Sequence, residues 1–298
     1  MKLTQAQIDQ YHTDGYLLVK GGLTIADLRP LVQEYEAEIE RRAQELYARR
    51  QLSQLYTDEP FERRLACLCR ENSDLYKGLD IFHLRGQAAF DFLRNENLLD
   101  IVEGIVGPEI TCSPIQHIRP KLPAGLTPAG GDPHVVPWHQ DAGVTWEEAD
   151  PYDILTVWLP LTEARQENGC LQVIAGAHRQ GLRQHVIKRG VGTTIVKDEM
   201  PAGKPITIPM QPGDLLLMHK QTPHRSTRNV TETVRWSADL RYQKTGTPTG
   251  RPFFPEFVVR SPSNPTSVFT DYAAWDCLWA EALTKEIGAK AHRWEYRR

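Results

Sequence analysis

With 298 residues, 40% hydrophobic and 24% charged, the chain has the composition of an ordinary globular protein, long enough to bury a large core. Its 35 basic and 38 acidic side chains nearly cancel, for a formal net charge of -3, which argues against nucleic acid as a partner because phosphate binding needs a concentrated basic surface. No apolar run approaches the roughly 20 residues of a bilayer span, and Met1-Lys2-Leu3-Thr4 lacks the apolar core of a signal peptide, so a cytoplasmic protein with no membrane partner is expected.

In chain order, Thr4 and Gln7 form a capping box that opens a short helix, stopped at Asp14-Gly15. A short strand, Tyr16-Leu17-Leu18-Val19, follows. A second helix is predicted from Ile25 to about Gln51, free of glycine and with Pro30 near its start, and a third from Ala88 to Ile105, ended by Gly107-Pro108. Cys67 and Cys69 fall in a charged, helical stretch. With Cys112, Cys170 and Cys277 they make an odd, scattered set, read as reduced and unpaired thiols rather than a disulfide framework or zinc site.

From Ile110 the pattern changes to short β-rich runs divided by Pro, Gly and Asn: Ile110 to Ile118, Ile154 to Leu159, Leu171 to Ile174, Ile206 to Ile208, Leu215 to Met218 and Val234 to Tyr242. Such strands predict an α+β chain with a jelly-roll-like barrel or sandwich and helices at one end. One domain over residues 1–298 is expected, helical to about 108, jelly-roll from 109 to 245, then a C-terminal extension from 246 to 298. Trp275, Trp279 and Trp294 suggest that this extension packs down, on its own core or on a second subunit, so the protein is a monomer or a homodimer. Pro120 to Pro133 and Thr245 to Pro255 read as long loops beside a site.

The sharpest local feature is Trp138-His139-Gln140-Asp141. Residues two apart in a strand share a face, so His139 and Asp141 can converge while Gln140 turns away. A second histidine from a distant strand would complete a 2-His-1-carboxylate triad with positions left open, the ligand set of non-haem iron oxygenases. The segment Gly213 to Tyr242 holds two candidates, His219 at the end of an apolar strand and His224 after Pro223. It also holds two arginines of one strand parity, Arg235 and Arg241.

These residues resemble the phytanoyl-CoA dioxygenase family. His139-Gln140-Asp141, His224, Ser226, Asn229 and Arg235, eleven residues beyond His224, match its pattern in order. Glu167-Asn168-Gly169-Cys170-Leu171, Ala175-Gly176-Ala177-His178 and the opening Asp14-Gly15-Tyr16 also look like the family's, so the similarity spans about Thr4 to Tyr242. The resemblance implies a double-stranded β-helix (jelly-roll, cupin-like) core with N-terminal helices packed on one sheet. It implies Fe(II) on His139, Asp141 and His224, with O2 and 2-oxoglutarate as co-substrates. The far carboxylate of 2-oxoglutarate would meet Arg235 and Ser226, Trp158 would line its pocket, and Gln116 falls where members place another pocket residue. The family's basic contact further upstream has no clean match, although Lys77 and His83 are near.

The expected activity is therefore an Fe(II)- and 2-oxoglutarate-dependent dioxygenase that oxidises, by hydroxylation, a small-molecule metabolite and releases succinate and CO2. Two alternatives stand beside it. A halogenase-like enzyme replaces the carboxylate ligand with Gly or Ala, which Asp141 opposes, and a non-catalytic jelly-roll that binds a metal or ligand would not need the co-substrate arginine.

Overall fold

Two helices begin with reciprocal side-chain caps. Thr4 Oγ1 accepts from Gln7 N at 3.3 Å while Gln7 Oε1 accepts from Thr4 N at 2.9 Å, and Thr24 and Asp27 repeat the device. In the computed structural model, which describes residues 1–126, 135–188, 190–285, 293–294 and 296–297, these caps start α1 (Gln5–Asp14) and α2 (Ile25–Ala48). Between them runs β1 (Tyr16–Val19), and α3 (Phe61–Glu71) follows. The stretch expected as one helix from Ala88 to Ile105 is two, α4 (Gln87–Leu93) and α5 (Glu96–Val106). The break has a local cause: Asn95 leaves helical geometry and caps the second helix through Leu98 N.

The β-rich part begins with β2 (Ile110–Cys112) and β3 (His117–Lys121), one expected strand split where Ser113 and Pro114 interrupt the ladder. It continues through β4 (Ile154–Pro160), β5 (Leu171–Val173), β6 (His185–Lys188), β7 (Gly192–Ile195), β8 (Ile206–Ile208), β9 (Leu215–His219), β10 (His224–Ser226), β11 (Arg235–Lys244) and β12 (Phe257–Arg260). Helix α6 (Tyr272–Thr284) and the two-residue β13 (Tyr296–Arg297) close the described chain. Strands β6, β7, β10, β12 and β13 lie outside the expected runs, since short polar-flanked runs carry little alternation.

A seven-stranded antiparallel sheet has the order β1-β9-β4-β11-β2-β12, with β3 on the other half of β11's edge. Opposite it lies the three-stranded sheet β10-β5-β8, joined to the His139 segment by a bridge between His139 and His224. This is the expected α+β jelly-roll. The helices cover the outer face of the large sheet. Buried residues of α2 fall at Leu28, Leu31, Tyr35, Ile39 and Ala43, a single stripe at helical spacing. Tyr35 meets Trp236 of β11 edge-on at 5.3 Å and Phe61 stacks on it at 5.0 Å. Trp275 and Trp279 of α6 enter the same core. A second, smaller core of Trp158, Leu171, Val173, Ile208 and Met210 lies between the two sheets.

All five cysteines are free, four of them buried. Among the described residues no helix is long and apolar enough to cross a membrane. The loop expected over Pro120–Pro133 lies outside the described residues from position 127 onward.

Candidate metal centre

Three side chains from three places converge between the sheets. His139 Nε2 lies 3.6 Å and His224 Nε2 lies 3.9 Å from Asp141 Oδ1. The three donor atoms are all within 4.8 Å of one another. His224 arrives on β10, and His139 faces it across the bridge, ring to ring at 4.1 Å. Asp141 does not continue a strand as parity alone suggested. It opens a 3-10 turn over Asp141–Val144, and its carboxylate still shares the point reached by His139.

Each imidazole is oriented from behind. His139 Nδ1 donates to Pro137 O at 2.9 Å and His224 Nδ1 donates to Thr222 O at 3.0 Å, since a carbonyl can only accept. Both Nε2 atoms therefore present lone pairs inward, the arrangement that metal-bound histidines use. Burial, reinforced by the neighbouring His139, holds His224 neutral down to a pKa of about 4. Asp141 is held well below the ordinary carboxylate range by Arg241 and the two histidines, against a large desolvation cost. Two imidazole nitrogens aimed inward and an ionised carboxylate fit a divalent ion of the iron or zinc type.

Gln140, the residue between the ligands, locks this geometry. Its Nε2 donates to Gly181 O and Gln221 O, and its Oε1 accepts from Arg183 N. Asp141 itself is held by Thr156 Oγ1 on Oδ2 and by Arg241 Nη2 on Oδ1, the latter at 2.7 Å. Thr156 sits two residues before Trp158 on β4, on the same face, and was not singled out from sequence. His219 is not part of the group. Its Nε2 faces Asp153 at 3.6 Å and its ring packs on His178.

The triad lines a cavity of about 640 Å³ that runs along the inner face of β11. Arg235 and Arg241 both face it, but six residues, about 20 Å of strand, separate them. Arg241 serves the carboxylate ligand, whereas Arg235 lies at the inner end. Arg235 is 5% exposed, stacks its guanidinium over Trp158 at 5.2 Å, and reaches Ser237 Oγ through Nη1. Its Nε has no hydrogen-bond partner among the described residues. Burial pushes its pKa down to about 10. A buried cation so weakly answered is a ready seat for an anion.

Ser226 lines the same end, its Oγ accepting from Lys121 Nζ at 2.7 Å and from Val136 N at 3.0 Å. Lys121 pairs directly with Arg235 across β3 and β11 and is 3% exposed. Sequence reading passed over it. Two motif residues build its position: Asn229 Nδ2 donates to Lys121 O at 2.9 Å, and a Cβ on Gly169 (φ +101) would lie 2.3 Å from Lys121 Cδ. Only glycine leaves room for the lysine stem there, and only glycine adopts that backbone at little cost.

Gln116 does not line the cavity. It is buried just ahead of β3, its amide nitrogen on Ser113 O and Arg241 O. Its neighbour His117 lines the cavity instead. One residue along a strand reverses the face, which is why the neighbour and not Gln116 faces the cavity. Of the upstream candidates, His83 lines the outer cavity, and Lys77 is a surface residue paired with Asp74.

The family model for phytanoyl-CoA dioxygenase (PhyH) matches residues 11–237. Phytanoyl-CoA dioxygenase domain-containing protein 1 of Danio rerio is 32% identical over 104 residues, 33% of this chain and 35% of that protein. The 1-deoxypentalenic acid 11-beta-hydroxylase of Streptomyces arenae is 28% identical over 181 residues, 56% of this chain and 62% of that protein. The aligned stretches thus span less than two thirds of these relatives. Among solved structures, the apo non-heme monooxygenase ThoJ superposes with a TM-score of 0.63 at 20% identity, covering 93% of this chain and 95% of its own. The non-heme alpha ketoglutarate dependent epimerase SnoN gives 0.52 at 19%, covering 90% and 92%. These likenesses establish the fold. With most of its length matched by the family model, and with His139, Asp141, His224 and Arg235 gathered in one cavity, the chain belongs to the phytanoyl-CoA dioxygenase family.

Proposed function

We propose that the protein is an Fe(II)- and 2-oxoglutarate-dependent dioxygenase that hydroxylates a small-molecule metabolite. The observation that carries this reading is one cavity holding both a buried His-Asp-His donor set and, further along the same strand face, a buried arginine short of counter-charge. His139, Asp141 and His224 would hold the iron. When bound, iron with 2-oxoglutarate and O2 supplies the oxidising power, and succinate and CO2 leave.

The chain's own part is placement and polarity. Arg235 offers a guanidinium fork to the distal carboxylate of the co-substrate, a charge-assisted and potentially bidentate contact. The Ser226 hydroxyl and the Trp158 ring complete that seat. Thr156 and Arg241 hold Asp141 in one orientation, so the carboxylate presents a fixed face. Similarity to the Streptomyces arenae hydroxylase supports a small metabolite as substrate, and Asp141 supplies the carboxylate that a halogenase-like enzyme lacks.

Anaerobic addition of Fe(II) and then 2-oxoglutarate tests the proposal. A visible charge-transfer absorption that needs both components, and is absent in Asp141→Ala with His224→Ala, is the expected result. Failure of the native protein to bind 2-oxoglutarate in the presence of metal overturns it.

A further inference from the structure

We infer that the primary substrate is a compact molecule with an apolar ring face, and that Phe82 and Phe254 receive this face beside the metal ligands. The inference rests on the dioxygenase reading, because it assigns the inner end of the cavity to 2-oxoglutarate.

Strands β3 and β11 give the cavity a direction. Lys121 pairs with Arg235 at one end of their ladder, and His117 pairs with Asp239 at the other. Beyond Asp239 comes Arg241, whose Nη2 donates to the Asp141 carboxylate at 2.7 Å. The anion seat and the metal ligands therefore lie toward opposite ends of one wall. A substrate has to reach the metal, so the groups around His117 and the Asp141 turn are the ones that meet it.

Carboxylates at this end are answered from within the protein. Asp141 and Asp239 both pair with Arg241, at 2.7 Å and 3.3 Å. Asp80 pairs with Arg119 at 2.8 Å and lies 3.0 Å from His117 Nδ1. These pairs place no demand for a counter-charge on the occupant, and parting them would be costly.

Apolar groups face the cavity beside them. Phe82, Val144 and Phe254 line it and are half-buried. Phe82 meets Phe254 edge-on at 5.6 Å and stacks on His117 at 5.3 Å. Phe254 stacks in turn on Trp279 of α6 at 5.3 Å. Both phenylalanines also pack against the main core, so the shelf is rigid and costs little entropy to use. Val144 closes the turn that Asp141 opens, which puts a metal ligand and part of the apolar lining on one short segment.

The loop that carries Phe254 is tied to the same turn. Gly250 O accepts from Trp146 N at 3.0 Å. A Cβ on Gly250 (φ +68) would lie 2.6 Å from Thr145 Cβ, so glycine lets the loop press against the residues that follow Asp141. Phe254 and Trp279 thus bring the C-terminal extension to the metal end of the cavity. Its volume of about 640 Å³ is shared with 2-oxoglutarate, so the space left suits a small ring skeleton better than a long chain.

The test uses native protein loaded with Zn(II) and 2-oxoglutarate, titrated calorimetrically with 2-naphthol, 1-octanol and D-glucose. The flat apolar ring is expected to bind about tenfold or more tightly than either the chain or the sugar, the scale of one good ring-to-ring contact. Phe254→Ala and Phe82→Ala should each weaken 2-naphthol by about the same factor while 2-oxoglutarate affinity stays native. Phe254→Leu and Phe82→Leu keep the core filled without the flat face, and should lose only part of the affinity. With Co(II) in place of Zn(II), the ring-proton resonances of bound 2-naphthol should broaden strongly, because paramagnetic relaxation reaches only nearby protons. The inference is overturned if 2-naphthol does not bind, shows no preference over the other two, displaces 2-oxoglutarate, keeps sharp resonances beside Co(II), or binds the variants as it binds the native protein. Loss of 2-oxoglutarate binding in the native protein would instead strike the dioxygenase reading itself.

Discussion

The two faces of the large sheet divide the molecule's tasks, and β11 shows the division residue by residue. Trp236, Ala238, Leu240 and Tyr242 point to the helices, each 0% exposed. Arg235, Ser237, Asp239 and Arg241 point to the cavity. The helix side is apolar and closely packed, and the Tyr242 hydroxyl there donates to Leu93 O at 3.0 Å. The cavity side buries charge that is only partly answered. Hydrophobic burial on one face offsets the electrostatic cost carried by the other, so substitutions on alternate residues should separate function from stability.

The largest effect is expected on the cavity side. Removing one partner of a buried charge pair costs about 3–5 kcal/mol, so Arg235→Met should weaken 2-oxoglutarate binding roughly a hundred- to several-thousand-fold at fixed metal. Its folding stability should hold or rise, because an isolated buried cation is itself costly. Near-native affinity in this variant, with Arg241→Met crippled instead, would move the carboxylate seat to Arg241.

Across the sheet, Leu240→Ala should do the reverse. It leaves a cavity under the helices and should cost about 2–5 kcal/mol of stability, read from urea denaturation. The folded fraction should bind 2-oxoglutarate with native affinity. A large loss of affinity here would mean that the two faces are not separable.

A pH effect of intermediate size should come from His185, which is 1% exposed and whose Nε2 accepts from the backbone N of Gln140. Burial is the main cause that lowers its pKa to about 4; His139 and Arg293 push the same way, while the Arg183 carbonyl and Asp141 oppose. Below about pH 6.5 the unfolded chain gains a proton there that the native state refuses. Stability therefore falls as pH drops from about 6.5 to about 4, by up to roughly 1.4 kcal/mol per unit, and is fully present above that window. His185→Gln should flatten this part of the denaturation profile in metal-free protein. An unchanged slope would assign the effect elsewhere.

The smallest effect should come from the tail. Arg293 donates to Ala142 O at 3.0 Å and pairs with Asp150, and Trp294 Nε1 donates to Gly143 O at 2.6 Å. Both brace the turn that carries Asp141. Arg293→Ala should cost about 0.5–1.5 kcal/mol, seen as a several-fold weaker metal affinity in a chelator competition. Full native affinity would make the tail a bystander to the site.

Much of this was legible in the chain. The Thr4 and Thr24 starts depend on contacts within one turn of helix, and local chemistry suffices for them. The wall of β11 is legible too, because strand parity puts Arg235 and Arg241 on one face whatever lies opposite. Proximity of His139 to Asp141 is likewise local. Spacing to Arg235 favours His224 over His219, and the fold shows why one loop separates the two roles: His219 ends β9, and Thr222 and Pro223 turn the chain so that His224 enters the other sheet.

What only the tertiary structure decided depends on register between distant segments. Gln116 and His117 differ by one position, and pairing with Asp239 of β11 selects which of them faces the cavity. Lys121 has no signal of its own; it matters because β3 sets it against Arg235 while Gly169 and Asn229, far along the chain, make room for it and hold it. Arg241 and Arg235 look equivalent as text, and six residues of strand give one to the metal ligand and the other to the inner anion seat. Propensity and parity are properties of a segment, whereas register, burial and charge pairing belong to two segments at once.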